Sequence, residues 1–142
     1  MKEIINRKAH FEYQIEKDFD AGMVLTGPEI KAIRQGKINI SGSYIKNLGD
    51  ELFLVGSNIS AKESDPIRSR KLLLHRDEIN KLLLNMQQKG YTILPLKGYF
   101  KRGKFKLLIG VGKGKKLHDK RASIRERDLQ READKAIRQK MN

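Results

Sequence analysis

Three glycines alternate along one segment, at Gly110, Gly112 and Gly114, and the last of them is followed by Lys115. A glycine-rich loop binds nucleotide phosphates when its lysine precedes a serine or threonine, because that hydroxyl holds the magnesium ion. Lys116 takes the place of the hydroxyl here, and the spacing of a dinucleotide-binding loop is also missing. We therefore interpret the segment as a flexible strand end, where the backbone can turn or approach another surface closely.

The three histidines, His10, His75 and His118, are the next candidates for chemistry. They do not have the spacing of metal ligands, and a chain without cysteine has no disulfide and no thiolate metal site. His10 and His118 are an open alternative as the acid–base pair of a nuclease, although no carboxylate is visibly placed to orient either ring. We expect instead a protein that is not an enzyme and that uses neither metal nor cofactor.

The charge of the chain indicates its partner. The 142 residues include 31 Lys or Arg and 17 Asp or Glu, which gives a formal net charge of +14. Such a balance favours a polyanion, either nucleic acid or an anionic membrane surface. No apolar run approaches the roughly 20 residues of a spanning helix, and the N-terminus lacks the apolar core of a signal peptide. We expect a cytoplasmic nucleic-acid-binding protein without a membrane partner.

One basic segment leaves two interpretations open. Arg68, Arg70 and Lys71 come immediately before the leucines at 72–74. In the first interpretation the segment is a strand or turn whose leucines enter the core while the cations face solvent. In the second the cations bind phosphates and one leucine packs on an unstacked base.

Alternating apolar residues and turn signals predict about six strands before Gly112. The predicted strands are residues 10–17, 23–25, 43–48, 51–56, 91–101 and 104–111. The predicted turns include 18–22, Gly49–Asp50 and Arg102–Gly103, whereas Pro95 indicates an edge or a bulge. Tyr99 and Phe100 are adjacent, so a regular strand would leave one of these rings facing outward.

Two helices are predicted from capping and periodicity. Thr26 and Glu29 have the spacing of a capping box at the start of a helix at 28–35. Apolar residues at i, i+3, i+4 and i+7 predict a second helix at 77–89. So few helices cannot connect parallel strands, and we therefore predict a mainly β fold with two or three helices. A small antiparallel β-barrel would bury such strands and leave few edges exposed.

The last part of the chain differs from the rest. We assign residues 1–112 to the folded core and residues 113–142 to a basic C-terminal tail, in which eleven Lys or Arg face five Asp or Glu for a net charge of +6. The tail has only a thin apolar stripe, which is too little to hold a helix alone. We expect the tail to be disordered in isolation and helical on a charged template.

Six short strings carry a resemblance to a known family. They are Asn6-Arg-Lys-Ala9, Phe19-Asp-Ala-Gly22, Gly27-x-Glu-x-Lys31 with Arg34 and Gly36, Arg70-Lys-Leu-Leu-Leu-His75, Lys89-Gly-Tyr-Thr92, and Gly114-Lys-Lys-x-His-Asp-Lys-Arg121. In this order, and over residues 4 to about 130, the chain closely resembles small protein B, the SsrA-binding protein family of bacterial trans-translation.

The resemblance implies a non-enzymatic, monomeric RNA-binding protein with a barrel of the oligonucleotide-binding (OB) type. It also implies two partners, namely the tRNA-like domain of transfer-messenger RNA and the small subunit of ribosomes stalled without a stop codon. The tail would enter the empty messenger channel and fold there as a helix on the ribosome. A generic basic module for ribosomal or single-stranded RNA is the alternative that charge alone supports.

The resemblance also assigns residues. Asn6, Asp20 and Leu73 match positions that serve the tRNA-like domain, and the basic residues near them that complete this candidate surface are Arg7, Lys8, Arg68, Arg70 and Lys71. The candidate ribosome-binding residues of the tail are Lys113, Gly114, Lys115, Lys116, His118, Asp119, Lys120, Arg121, Arg125, Arg127 and Leu129.

The chain departs from the family pattern at three positions. Asp20 stands where many relatives have glutamate, which keeps the charge but shortens its reach. Pro28 replaces a bulkier or hydroxylated residue, and Leu129 takes a position where some relatives carry an aromatic ring.

Overall fold

The structure of the chain is a computed structural model that describes residues 3–115 together with Arg131. This part of the chain forms three helices, α1 (Arg7–Glu12), α2 (Gly27–Arg34) and α3 (Arg76–Gln87). Its nine strands are β1 (Ile4–Ile5), β2 (Tyr13–Met23), β3 (Ile38–Asn39), β4 (Tyr44–Leu48), β5 (Glu51–Val55), β6 (Asn58–Ile59), β7 (Arg70–Leu73), β8 (Tyr91–Lys101) and β9 (Lys104–Gly114).

Seven of the strands form one antiparallel sheet in the order β1-β8-β9-β2-β7-β5-β4, and β3 pairs with β6 in a separate two-stranded sheet. The prediction of a mainly β, antiparallel fold with two or three helices is therefore confirmed. The two-residue strands β1, β3 and β6 were not predicted, because a pattern of two residues carries no periodicity.

The hairpin of β8 and β9 is the longest feature of the sheet, and it follows its sequence signals. Pairing runs from Tyr91 opposite Lys113 to Lys101 opposite Lys104. Arg102 and Gly103 both have positive φ, at 52° and 76°, as a two-residue turn of type I′ requires. The register shifts between Pro95 and Lys97, which confirms the bulge that Pro95 indicated.

The strand β2 differs from its prediction. Residues 10–12 lie in α1 rather than in a strand, and the turn predicted at 18–22 lies inside β2, which is continuous from Tyr13 to Met23. Pairing with β9 provides hydrogen-bond partners for the backbone of β2 along this length. This pairing overrides the tendency of Asp18 and Asp20 to form a turn, and both aspartates face solvent from the strand. Gly22 is also suited to this strand, because an added Cβ would lie 3.2 Å from the Cβ of Leu73.

Gly110 and Gly112 lie within β9 and not at a flexible strand end, whereas Gly114 is the last residue of that strand. An added Cβ at Gly110 would lie 2.8 Å from Leu96 Cδ1, and one at Gly112 would lie 3.0 Å from Leu94 Cδ2. Side chains of the neighbouring strand therefore cover the backbone of β9 at these two glycines, whereas Gly114 has open space around it. The backbone does approach another surface closely at these glycines, as predicted. That surface consists of side chains from the neighbouring strands of the same sheet.

The core lies between the sheet and the helices α2 and α3. Ile33 of α2 and Leu82 of α3 are fully buried and belong to one apolar cluster with the sheet residues Leu54, Leu107 and Ile109. The capping box of α2 is present as predicted, and Arg76–Gln87 confirms the helix predicted at 77–89. A smaller apolar cluster of Ala9, Leu94 and Leu96 fixes α1 against β8.

Candidate nucleic-acid interface

Two of the predicted RNA-binding residues, Asp20 and Leu73, lie on one face of the sheet. The pairing of Gly22 with Leu73 places β7 beside β2. Asp20 and Leu73 therefore line one cavity of about 290 Å³, which we name the Asp20–Leu73 cavity. The other residues of its lining are Leu74, His75, Glu78 and Lys106. Leu73 is 52% exposed, which is unusual for a leucine on a central strand. An exposed leucine beside a carboxylate and a lysine forms a surface on which a base can pack and hydrogen-bond.

Lys106 is a candidate site residue that the sequence did not indicate. It lies opposite Gly22 in the register of β2 with β9, and it lines both the Asp20–Leu73 cavity and a neighbouring cavity of about 230 Å³. Lys104 and Ile30 also line the second cavity. Only the register between two distant strands places these lysines beside Leu73, so no local motif identifies them.

Asp20 is held by a residue of another strand. The phenolic hydroxyl of Tyr99 donates a hydrogen bond to Asp20 Oδ1. Burial, this hydrogen bond and the nearby negative charges of Asp20 and Glu3 raise the pKa of Tyr99 from 10.0 to about 12. Tyr99 therefore stays protonated and donates to Asp20 throughout the physiological pH range.

A buried ion cluster lies beside this surface and includes two of the predicted cations. Glu29 and Arg70 have no exposed side-chain area, and Arg70 Nη2 lies 2.8 Å from Glu29 Oε2. Arg68 contacts the same carboxylate, with Arg68 Nε 3.1 Å from Glu29 Oε2, and keeps 32% of its side chain exposed. Arg70 also donates to the carbonyl oxygen of Ser57 at 3.3 Å and of Pro66 at 3.1 Å. We name these three side chains the Glu29 cluster.

The structure bears on the two interpretations of residues 68–74. The segment contains a strand in which Leu72 is buried, as the first interpretation expects, and Leu73 is exposed, so that the packing of Leu73 on a base stays a prediction. Arg70 was expected to contact phosphate, but it is enclosed because its charge is neutralised by a carboxylate 41 residues away. Lys71 is 43% exposed and pairs with Glu51 at 3.1 Å.

The carboxylate of Glu29 is ionised in spite of its burial. Burial alone would raise the pKa of Glu29, but hydrogen bonds from Arg68, from the Thr26 backbone and from Arg70 outweigh it. Together with the positive charge of Arg70, they lower the pKa from 4.5 to about 2. The cluster therefore remains charged at every physiological pH and joins α2 to the start of β7 and the residues just before it.

Asn6 is buried as well, with 2% of its surface exposed. Its side-chain oxygen accepts from the Ala9 backbone at 3.2 Å and caps α1, while its amide donates to the Pro95 carbonyl at 2.8 Å. Arg7 and Lys8 follow it on α1 and are exposed. In this structure Asn6, like Arg70, is not accessible to RNA and instead fixes the element that carries exposed cations.

The predicted tail site lies mostly outside the described residues. Lys113 and Gly114 are exposed at the end of β9, and the Lys115 ammonium donates to the His10 carbonyl at 2.9 Å. The predicted residues that the structure does not describe are Lys116, His118, Asp119, Lys120, Arg121, Arg125, Arg127 and Leu129. Of the alternative acid–base pair, His10 lies in α1, whereas His118 lies outside the described residues.

The described residues, 3–115 and Arg131, lack two features. No group of three or more His, Cys, Asp or Glu side chains in this range could hold a metal ion. Nor does any helix in it have the length and apolar character needed to cross a membrane.

A small antiparallel sheet that exposes a leucine, a fixed carboxylate and lysines on one face defines a protein of the nucleic-acid-binding class. The family model described as "SmpB protein" matches residues 3–139, and the chain belongs to the SmpB family. The predicted resemblance is thereby confirmed. Because this family consists of RNA-binding proteins without enzymatic activity, the expectation that the chain is not an enzyme is confirmed as well.

Individual relatives agree with the family. The SsrA-binding protein of Acetivibrio thermocellus is 49% identical, covering 94% of this chain and 91% of its own length. The SsrA-binding protein of Burkholderia lata is 47% identical, covering 97% of this chain and 98% of its own length. A solved chain described by the words "tmRNA-SmpB: a journey to the center of the bacterial ribosome" superposes with a TM-score of 0.70 at 39% identity, covering 88% of this chain and 96% of that one.

Proposed function

We propose that this chain is the RNA-binding adaptor of trans-translation. It binds the tRNA-like domain of transfer-messenger RNA and brings it to ribosomes stalled without a stop codon, where the basic tail probes the empty messenger channel. Membership of the SmpB family supports this function, as do relatives named SsrA-binding proteins. The observation in the structure that carries the proposal is the Asp20–Leu73 cavity with its exposed leucine.

The chemistry of this cavity suits a folded RNA with unstacked bases. Leu73 offers an apolar surface to the face of a base, which RNA-binding proteins use where bases are splayed out of a helix. Asp20 repels phosphates but accepts hydrogen bonds from base amino groups and ribose hydroxyls. Lys104, Lys106 and Arg68 supply positive charge for the RNA backbone around this contact.

Two finer features of the fold belong to the same proposal. The strand β4 lies at one end of the sheet order, yet it contacts β8 near the other end. This contact supports a sheet that curves into a barrel of the OB type. We further propose that the chain acts as a cytoplasmic monomer, with a folded core and a tail that begins near residue 113.

One observation favours the alternative, a generic RNA-binding module. A cavity of about 450 Å³ beside α2 is lined by Lys31, Lys37 and Lys62, and its lining contains no carboxylate. Such a cavity can attract any RNA backbone, and binding there would depend on salt rather than on RNA structure.

A competition titration separates the two functions. The full chain is titrated against in vitro transcribed tRNA-like domain and against bulk tRNA at several salt concentrations. We expect tight binding that prefers the tRNA-like domain by about tenfold or more and that keeps this preference as salt rises. Equal affinities that fall together with salt would contradict the adaptor function and favour the generic module.

A leucine substitution tests whether the preference arises at the proposed cavity. Leu73→Asp should weaken binding of the tRNA-like domain by about 10- to 100-fold, because it removes an apolar packing contact with a base and adds a negative charge that repels phosphates. The matched control is Leu84→Asp, since Leu84 is 64% exposed on α3 and lies outside the Asp20–Leu73 cavity. Equal losses in both variants would show that the cavity is not the site.

A further inference from the structure

The contact between Tyr99 and Asp20 crosses a strand. In the sheet, β9 lies between β2 and β8, with Asp20 opposite Leu108 and Tyr99 opposite Lys106. The two side chains therefore meet above β9, on the face that carries Lys106 and Leu73. A hydrogen bond between two residues 79 positions apart fixes an exposed carboxylate that its own strand would leave free to rotate.

We infer that Tyr99 is a positioning residue of the RNA site, which holds the Asp20 carboxylate so that its second oxygen is presented to the RNA. This inference rests on the proposed function. Within residues 3–115 the Asp20 carboxylate has no other hydrogen bond. One oxygen is thus occupied by the phenol, and the other is available to a donor on the ligand.

A cation lies over the ring of Tyr99. The Lys97 ammonium lies 5.6 Å from the centre of the ring and 3.2 Å from Glu3 Oε1. The ring is therefore covered by a cation that is itself anchored by a carboxylate. The hydrogen bond from this phenol to Oδ1 restricts the orientation of the Asp20 carboxylate.

The fixed orientation matters because a cation competes for the same carboxylate. Lys106 lines the Asp20–Leu73 cavity together with Asp20. Without the phenol, Asp20 can turn towards Lys106, and the resulting ion pair would remove both groups from RNA binding. With the phenol, Lys106 stays available for phosphate, while Asp20 accepts from a base amino group or a ribose 2′-hydroxyl. Tyr99 should therefore affect discrimination between RNAs more than affinity for RNA in general.

The test compares two tyrosines of the same strand. Tyr99→Phe removes the hydroxyl that faces Asp20, and Tyr91→Phe is the matched control, because the Tyr91 hydroxyl donates to Glu16 at 3.3 Å. In the full chain we expect Tyr99→Phe to weaken binding of the tRNA-like domain by about five- to tenfold and binding of bulk tRNA by no more than about twofold, with an unchanged melting temperature. Tyr91→Phe should leave both affinities unchanged.

A double substitution shows whether Tyr99 acts through Asp20. In a chain that already carries Asp20→Ala, which has no side-chain oxygen to accept from the phenol, adding Tyr99→Phe should cause no further loss of affinity. The inference would be overturned if Tyr99→Phe lowered the affinity for the tRNA-like domain as much in that background as in the wild type. Equal effects of Tyr99→Phe and Tyr91→Phe in the wild type would also overturn it. If wild-type protein prefers the tRNA-like domain and Tyr99→Phe keeps that preference, the inference fails while the proposed function stands. Equal wild-type affinity for both RNAs would overturn both.

Discussion

Replacing Glu29 by glutamine is expected to lower the free energy of unfolding by about 3–5 kcal/mol. Glu29 is fully buried and is the shared partner of Arg68 and Arg70, of which Arg70 is also fully buried. An uncharged amide would leave the Arg70 guanidinium enclosed without a counter-charge, and that desolvation is what makes the loss large. Denaturant unfolding of both proteins at neutral pH measures the difference.

The control for this variant is Glu51→Gln. Glu51 pairs with Lys71 at 3.1 Å, but both side chains are about half exposed. An exposed pair contributes little, so the control should change the free energy of unfolding by less than about 1 kcal/mol. Similar losses in the two variants would contradict the role assigned to burial in the Glu29 cluster.

The same cluster sets a pH dependence with a definite sign. The pKa of Glu29 is lowered in the folded state, from 4.5 to about 2. The contribution of Glu29 to stability is therefore complete at pH values above its pKa in the unfolded chain, and it is lost as the pH falls through its pKa in the folded protein. The shift corresponds to about 3 kcal/mol. The difference in unfolding free energy between wild type and Glu29→Gln should shrink as the pH falls from 5 towards about 2.

Removing residues 116–142 is expected to abolish tagging at stalled ribosomes, with activity reduced by about 100-fold or more, while the core stays folded and keeps its affinity for the tRNA-like domain. The described elements end with β9 at Gly114, and the residues of the Asp20–Leu73 cavity all precede that point. In the proposed function the basic tail serves a second polyanion, the messenger channel, where counterion release would supply most of its affinity.

The measurements for the truncated chain are a tagging assay on ribosomes stalled without a stop codon, a titration with the tRNA-like domain and a melting curve. As a milder variant, alanines at Gly114, Lys115 and Lys116 should impair tagging by about tenfold. The melting temperature should change little, because an added Cβ at Gly114 meets nothing within 4 Å. A truncated core that loses its affinity for the tRNA-like domain would contradict this division between core and tail.

The sequence alone determined the features that depend on residues close together in the chain. The turns at Gly49–Asp50 and Arg102–Gly103, the capping box of α2 and the bulge at Pro95 were all predicted and are all present. Each depends on backbone torsions or hydrogen bonds within a few residues, so local residue types are sufficient. The net charge and six ordered strings likewise predicted the class and the family.

Only the tertiary structure decided which polar residues reach the surface. Arg70 and Asn6 were predicted to contact RNA and are buried, because Glu29 and the Pro95 carbonyl, 41 and 89 residues away, satisfy them. The contact of Tyr99 with Asp20 likewise requires the register of three strands. Burial of a charge and pairing across a sheet depend on partners far along the chain, and a pattern of neighbouring residues contains no information about them.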